Sequence, residues 1–205
     1  MTERPVIFNG EMVRAILAGR KTQTRRIMKP QPEAMPDKPG EYWWPAKRFE
    51  SMLQLSYFND PVTKELAADA CPFGGIGDRL WVKETFAPGL CTKSAIAYRA
   101  THKPSDLDEG WDEQIKWTPS IHMSRAFSRI KLEITDVRVE RLNDINEHDA
   151  LAEGMDDGTS PAAIAAGWFE KPRRAFRRLW ERIYGQESWD SNPWVWVVEF
   201  KLVQS

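Results

Sequence analysis

The chain has 205 residues, 41% hydrophobic and 29% charged, enough for one domain with a sizeable core. Its formal net charge is −1, which excludes a global basic field of the kind that announces a nucleic-acid protein, so a polyanion partner has to be met by a local patch. Two cysteines, Cys71 and Cys91, make no disulfide framework, the N-terminus lacks a signal-peptide layout, and no apolar run approaches the ~20 residues that span a bilayer. A reduced, soluble, cytoplasmic protein without a membrane partner is expected.

In chain order, Val6–Phe8 reads as a short strand. Asn9 is a candidate N-cap, and Met12, Val13, Ile16 and Leu17 form a helical stripe that Gly19 stops. Lys21 and Thr24 then fall on the turn beyond the helix. From Met28 to Gly77 the texture changes: Pro30, Pro32, Pro36, Pro39 and Pro45 break any long element, and aromatics are interleaved at Tyr42, Trp43, Trp44, Phe49, Tyr57 and Phe58. This texture predicts an irregular insertion at about 28–76 within a single domain 1–205, with a short helix over 62–70.

Strands are predicted over 79–85, 95–100, 129–141 and 194–203. The third slips phase at Thr135-Asp136, which suggests a bulge or turn, and the last puts Trp194, Trp196, Val198, Phe200 and Leu202 on one face. The acidic stretch 107–117 reads as a surface excursion. Helices are predicted over 147–153, capped by Asn146 and stopped by Gly154, over a short Ser-capped piece at 161–166, and from Pro172 onward. This last helix carries Phe176, Leu179, Trp180 and Ile183 on one face and arginines elsewhere. The class is mainly β with flanking helices (α+β), and irregular loops between short strands favour a small barrel over a parallel sheet.

The densest chemistry lies at Gly19–Arg26, where Thr22 and Thr24 sit among Arg20, Lys21, Arg25 and Arg26 with no acid between Glu11 and Glu33. A threonine hydroxyl needs a base beside it to act as a nucleophile, and a lysine serves as that base only if burial or nearby cations favour its neutral form. Glu153 occupies the last turn before Gly154, where the helix dipole disfavours an anion by ~0.3–1 kcal/mol, so it is either simply exposed or held by a cation such as Lys21. Cys71, Cys91, His102 and His122 lack the close pairs of a zinc site, and no metal or other cofactor is expected. His122 and Arg125 belong to an irregular loop that either packs through its Trp117 and Met123 or lines a cleft. Ten tryptophans mark cores, clefts or interfaces, with packing favoured over base stacking.

The segment Gly19-x-Lys21-x-x-Thr24-x-Arg26 resembles the Gly-x-Lys-x-x-Glu-x-Arg signature of ASCH domains, in the PUA-like superfamily. The stretches 19–26, 71–84, 117–141 and 176–200 look like phage and prophage ASCH proteins. Thr24 stands where many members carry glutamate, and is similar there to bacterial members that hydrolyse N(4)-acetylcytidine with a lysine, a threonine and a glutamate. The glutamate's context is similar to Ala150-Leu151-Ala152-Glu153-Gly154-Met155.

The resemblance implies a small β-barrel and amide hydrolysis of an acylated nucleoside, with Lys21 as base, Thr24 as nucleophile or holder of the attacking water, and Glu153 as orienter of Lys21. It places Arg20, Arg26, Trp81, Glu84, His122 and Arg125 as candidate substrate-binding residues, Arg26 also stabilising the oxyanion. It also leaves room for an RNA-binding or RNA-cleaving module, supported by the basic runs 20–29 and 173–182, and for a phage accessory protein that binds a protein partner through the aromatic insertion.

Overall fold

The structure, a computed structural model, describes residues 1–46, 50–89, 96–106, 115–159, 164–165, 167 and 170–203. Phe49, Cys91, Ala95, Trp111, most of the acidic excursion and most of the short helix at 161–166 lie outside the described residues.

Strand β1 (Glu3–Ile7) leads to Asn9, whose side chain accepts the Met12 amide at 2.9 Å and caps α1 (Gly10–Leu17). Val13, Ala15 and Ile16 form the buried face, while Leu17, about 100° round the helix from Ile16, is 41% exposed. Gly19 at φ +72° ends the helix: its amide donates to Ile16 O, and the Arg20 amide donates to Ala15 O, each at 2.9 Å. This left-handed closure satisfies the last carbonyls of the helix. The chain then enters β2 (Gln23–Ile27), so Thr24 lies in a strand, not on the turn its sequence position suggested.

The proline-rich segment is more regular than its composition implied. Strands β3 (Glu33–Ala34), β4 (Tyr42–Ala46) and β5 (Ser51–Gln54) form a three-stranded antiparallel sheet. Strand β3 pairs only with Trp43 and Tyr42, leaving β4 an edge at Pro45, where proline is tolerated. A 3-10 turn at Leu55–Phe58 and helix α2 (Lys64–Ala68) follow. Trp44 and Phe58 meet Trp196 edge to face, with ring centroids 5.1 and 5.0 Å away, and so tie this segment to the main core.

Next come β6 (Arg79–Lys83), the short hairpin β7 (Phe86–Pro88) and β8 (Ile96–Tyr98), and the long β9 (Lys131–Arg141). Helix α3 (Glu147–Ala152) is capped by Asn146, which accepts the Asp149 amide at 2.8 Å. Helices α4 (Pro172–Tyr184) and α5 (Gln186–Asp190) lead to β10 (Trp194–Leu202).

The main sheet runs β1-β6-β9-β10-β2, with β1 and β6 parallel and the other neighbours antiparallel. Glu199 pairs with Asp136 and Phe200 with Ile134, so Thr135 is the extra residue of a bulge at the predicted phase slip.

Strand β10 is covered on both faces, contrary to the one-sided pattern expected. Trp196, Val198 and Phe200 enter the main core, while Val195 and Val197 enter a second cluster with Ala150, Phe176, Trp180 and Trp189. A central strand under two layers buries both alternating sets of side chains.

The class is α+β, but the main sheet does not close into the expected barrel. Among the described residues β1 and β2 form no ladder with each other. The leading end of β2 pairs instead with the end of α3, through a bridge between Lys21 and Glu153 and a 2.8 Å bond from the Thr22 amide to Ala152 O. A side chain spans the seam: Arg26 Nη2 donates to Ile7 O at 2.7 Å. Among the described residues no helix is long and apolar enough to cross a membrane.

Two expectations follow. Trp196→Ala should lower unfolding free energy by about 3–5 kcal/mol in denaturant titration, because a large cavity opens between Trp44 and Phe58; a loss below about 1 kcal/mol counts against that role. Burial pushes the Cys71 thiol from an ordinary 9.0 up to about 12. Its contribution is fully present below the unfolded value and is lost as pH rises between the two, so the stability advantage of wild type over Cys71→Ala should shrink from 9.0 toward 12; a pH-independent difference refutes it.

Candidate functional site

The seam between β1 and β2 is where polar chemistry concentrates. Three segments meet there: the end of α1, the start of β2 and the end of α3. Gly154 allows the meeting, since it sits at φ +95° and a Cβ on it would lie 2.9 Å from Ala15 Cβ and 3.1 Å from Lys21 Cβ.

The Lys21 side chain is fully buried. Its Nζ donates to Gln23 O at 2.8 Å, Glu153 O at 3.0 Å and Glu153 Oε2 at 2.6 Å, so an ammonium there has all three protons placed. The Phe8 ring lies 5.5 Å from Nζ. Burial holds the Lys21 pKa below the ordinary lysine value; Glu153 opposes this, and Arg26 and Arg25 add to the lowering.

Arg25 extends the cluster. Its Nη2 donates to Glu140 Oε2 at 2.9 Å and Asp149 Oδ2 at 3.1 Å, and its Nη1 lies 3.5 Å from Glu153 Oε1. Arg138 closes the far side, donating to Glu140 Oε1 at 2.5 Å, to Asp149 Oδ1 at 3.2 Å and to Glu199. Gln23 Nε2 donates to Asp149 O at 2.8 Å. Each buried charge therefore faces an opposite one, as burial in low dielectric requires.

Against this cluster lies a cleft of about 220 Å³. Its polar end is Thr24, Arg25, Arg26 and Glu153, with Asn9 at the head of α1. Phe176, Leu179, Trp180, Ile183 and Tyr184 of α4 supply an apolar wall, and Ile7 and Met12 complete it. The stripe read in the sequence as the packing face of this helix divides its work: Phe176 and Trp180 are buried, while Ile183 stays 47% exposed at the cleft.

Thr24, Arg26 and Glu153 line the cleft, and Lys21 stands behind Glu153. The other candidates lie elsewhere. Arg20 Nη1 donates to Gly154 O at 3.1 Å and borders a separate depression with Thr22 and His148. Glu84 is buried in a two-pronged pair with Arg129, at 2.9 and 3.1 Å, and borders a further cleft with Arg14, Arg99 and Arg182. Trp81 lies half-buried on β6 with Lys83 Nζ 5.7 Å from its ring. His122 is exposed, and Arg125 pairs with Glu3 at 2.7 Å.

Sequence inspection missed Arg25, Arg138, Glu140 and Asp149 as parts of one assembly. Lys21, Gln23 and Arg25 alternate along the chain, a pattern that ordinarily marks a solvent face; here that face meets α3 and is buried.

No family model matches the chain, and no curated protein matches it. Among solved structures it is similar to the ASCH domain from Lactobacillus crispatus JV V101, with 14% identity, a TM-score of 0.39, and coverage of 98% of this chain and 79% of that one.

A double-mutant cycle tests the central pair. Lys21→Met leaves Glu153 buried beside no ammonium and should cost about 3–5 kcal/mol, whereas Lys21→Met combined with Glu153→Gln should cost clearly less than the sum of the single changes. Strict additivity in denaturant unfolding rules out the coupling.

Proposed function

We propose that the protein is an amidohydrolase that cleaves the amide of an acylated nucleoside, with N(4)-acetylcytidine as the candidate substrate. The observation that carries this is the Lys21–Glu153 pair, joined at 2.6 Å, with Glu153 and Thr24 both among the residues at the polar end of a small cleft with an apolar wall. The resemblance of Gly19–Arg26 to the ASCH signature singles out the same lysine and threonine. Aromatic and aliphatic side chains of α4 suit a planar base, and concave, mostly apolar clefts with a few polar groups suit small molecules.

The chemistry requires a nucleophilic oxygen, a group to take its proton and a group to return one to the leaving nitrogen. The oxygen is that of Thr24 or of a water it holds. It bonds to the acyl carbon while its proton passes to the Lys21–Glu153 pair. Glu153 lines the cleft and Lys21 is bonded to it from behind, so the proton passes to the pair as a unit. As the carbon–nitrogen bond breaks, the same proton goes to the departing exocyclic nitrogen of the base. Where Thr24 attacks, a water then releases acetate from the acyl-threonine.

An RNA-directed module draws less support. The arginines of α4 are largely neutralised locally: Arg174 and Arg178 pair with Glu170, Arg177 with Glu181, and Arg182 with Glu11. A surface compensated in this way releases few counterions on meeting a phosphate backbone.

Purified protein should convert N(4)-acetylcytidine to cytidine and acetate, resolved by chromatography. Thr24→Ala and Glu153→Gln should each lower kcat by roughly 10²–10⁴-fold in folded protein. Absence of wild-type turnover across a panel of acylated nucleosides ends the proposal.

A further inference from the structure

We infer that the substrate is a nucleoside monophosphate, whose phosphate is held by Arg14 and Arg99 in a second cleft beside the first. This deepens the hydrolase function proposed above and rests on it. The cleft lined by Thr24 and Glu153 measures about 220 Å³, below the roughly 300–1,000 Å³ of most small-molecule sites. It suits a base better than a base with its sugar, so the rest of a nucleoside extends past its edge.

A cleft of about 490 Å³ adjoins it. Asn9 borders both, and the same two helices wall them. Met12 of α1 and Ile183 of α4 line the first; Arg14 of α1 and Arg182 of α4 line the second.

The lining changes from apolar to basic between the two. Arg14, Arg99 and Arg182 all line the second cleft, together with Glu11 and Glu84. Both carboxylates are already matched: Glu11 accepts from Arg182 at 2.9 Å, and buried Glu84 takes both prongs of Arg129. Arg14 and Arg99 are exposed, and neither makes an ion pair among the described residues. Arg14 Nη1 donates to Ala100 O at 3.0 Å, which brings its guanidinium to the residue next to Arg99. Two uncompensated guanidiniums thus share an open cleft that a ligand can enter.

A phosphate monoester carries about −1.5 to −2 charge near neutrality and presents three strong acceptor oxygens. Two guanidiniums match that charge, and each can grip a phosphate through two parallel hydrogen bonds. With the base against α4 and the sugar passing Asn9, one molecule occupies both clefts. A nucleic-acid strand fits less well, because its many phosphates need a longer track of free cations. The other arginines of α4 are spent on Glu170 and Glu181.

Turnover is compared on N(4)-acetylcytidine, its 5′- and 3′-monophosphates, and an oligoribonucleotide carrying one N(4)-acetylcytidine. One monophosphate should show kcat/KM roughly 10–100-fold above the nucleoside, mostly through KM, as expected for contacts made equally in ground and transition states. Arg14→Ala combined with Arg99→Ala should shrink that ratio to within about threefold, whereas Arg174→Ala, at an exposed arginine outside both clefts, should retain it. Monophosphates within about threefold of the nucleoside in wild type, or a preference that survives the double variant, overturn the phosphate site and leave the hydrolase function standing. An oligoribonucleotide preferred over both monophosphates also overturns it, in favour of a nucleic-acid substrate. Absence of turnover on all four ends the hydrolase function. Calorimetry then decides the phosphate site alone: cytidine monophosphates binding no tighter than cytidine end it, and tighter binding that the double variant abolishes upholds it.

Discussion

A buried ammonium cannot be left without partners, and Lys21 dictates much of the architecture around it. Its three acceptors come from two places in the chain, Gln23 close by and Glu153 at the end of α3. Satisfying it therefore fixes where α3 sits relative to β2 and brings Gly154 against Ala15 of α1. The attraction is strong because water is excluded, and the desolvation cost is high for the same reason. The balance confines the pair to one geometry and leaves the lysine more easily deprotonated than an ordinary one.

The same contact explains why the main sheet stays open. Near its leading end β2 spends backbone bonds on α3, through the Thr22 amide and the Lys21–Glu153 bridge. Strand β1 spends its own on β6, leaving a seam that a single guanidinium spans. A closed barrel would fill that region with ladder bonds and core side chains. The open seam instead leaves room for a cleft, with α4 supplying the apolar side and the charged cluster the polar side. Strand β10 makes this possible by carrying a core on each face, one beneath the aromatic segment and one beneath the helices.

Much of the fold was legible from neighbours in the chain. Asn9 and Asn146 cap the helices they precede, Gly19 takes the left-handed turn that ends α1, Pro172 opens α4, and Thr135 is the bulge that the broken alternation marked. These follow from short-range hydrogen bonds and backbone preferences, which residues a few positions apart can specify. The sheet β3–β5 was not legible, because prolines that ordinarily break strands are tolerated at an edge. Nor was the two-sided burial of β10, since alternation tells which residues share a face, not how many layers cover the strand.

The candidate site divides along the same line. Lys21 and Thr24 were visible as a hydroxyl near a lysine, and Glu153 as an acid in an uncomfortable helix position. Their convergence, and the burial of Arg25 and Asp149 among them, joins residues 132 and 124 positions apart in the chain. No local pattern encodes such distances. A charged side chain looks the same in sequence whether water or a counter-charge surrounds it, and burial is set by whatever the fold lays over it. Residue chemistry and local punctuation thus came from the order of amino acids. Tertiary packing chose which charges lost their water, and with it which of them face the cleft.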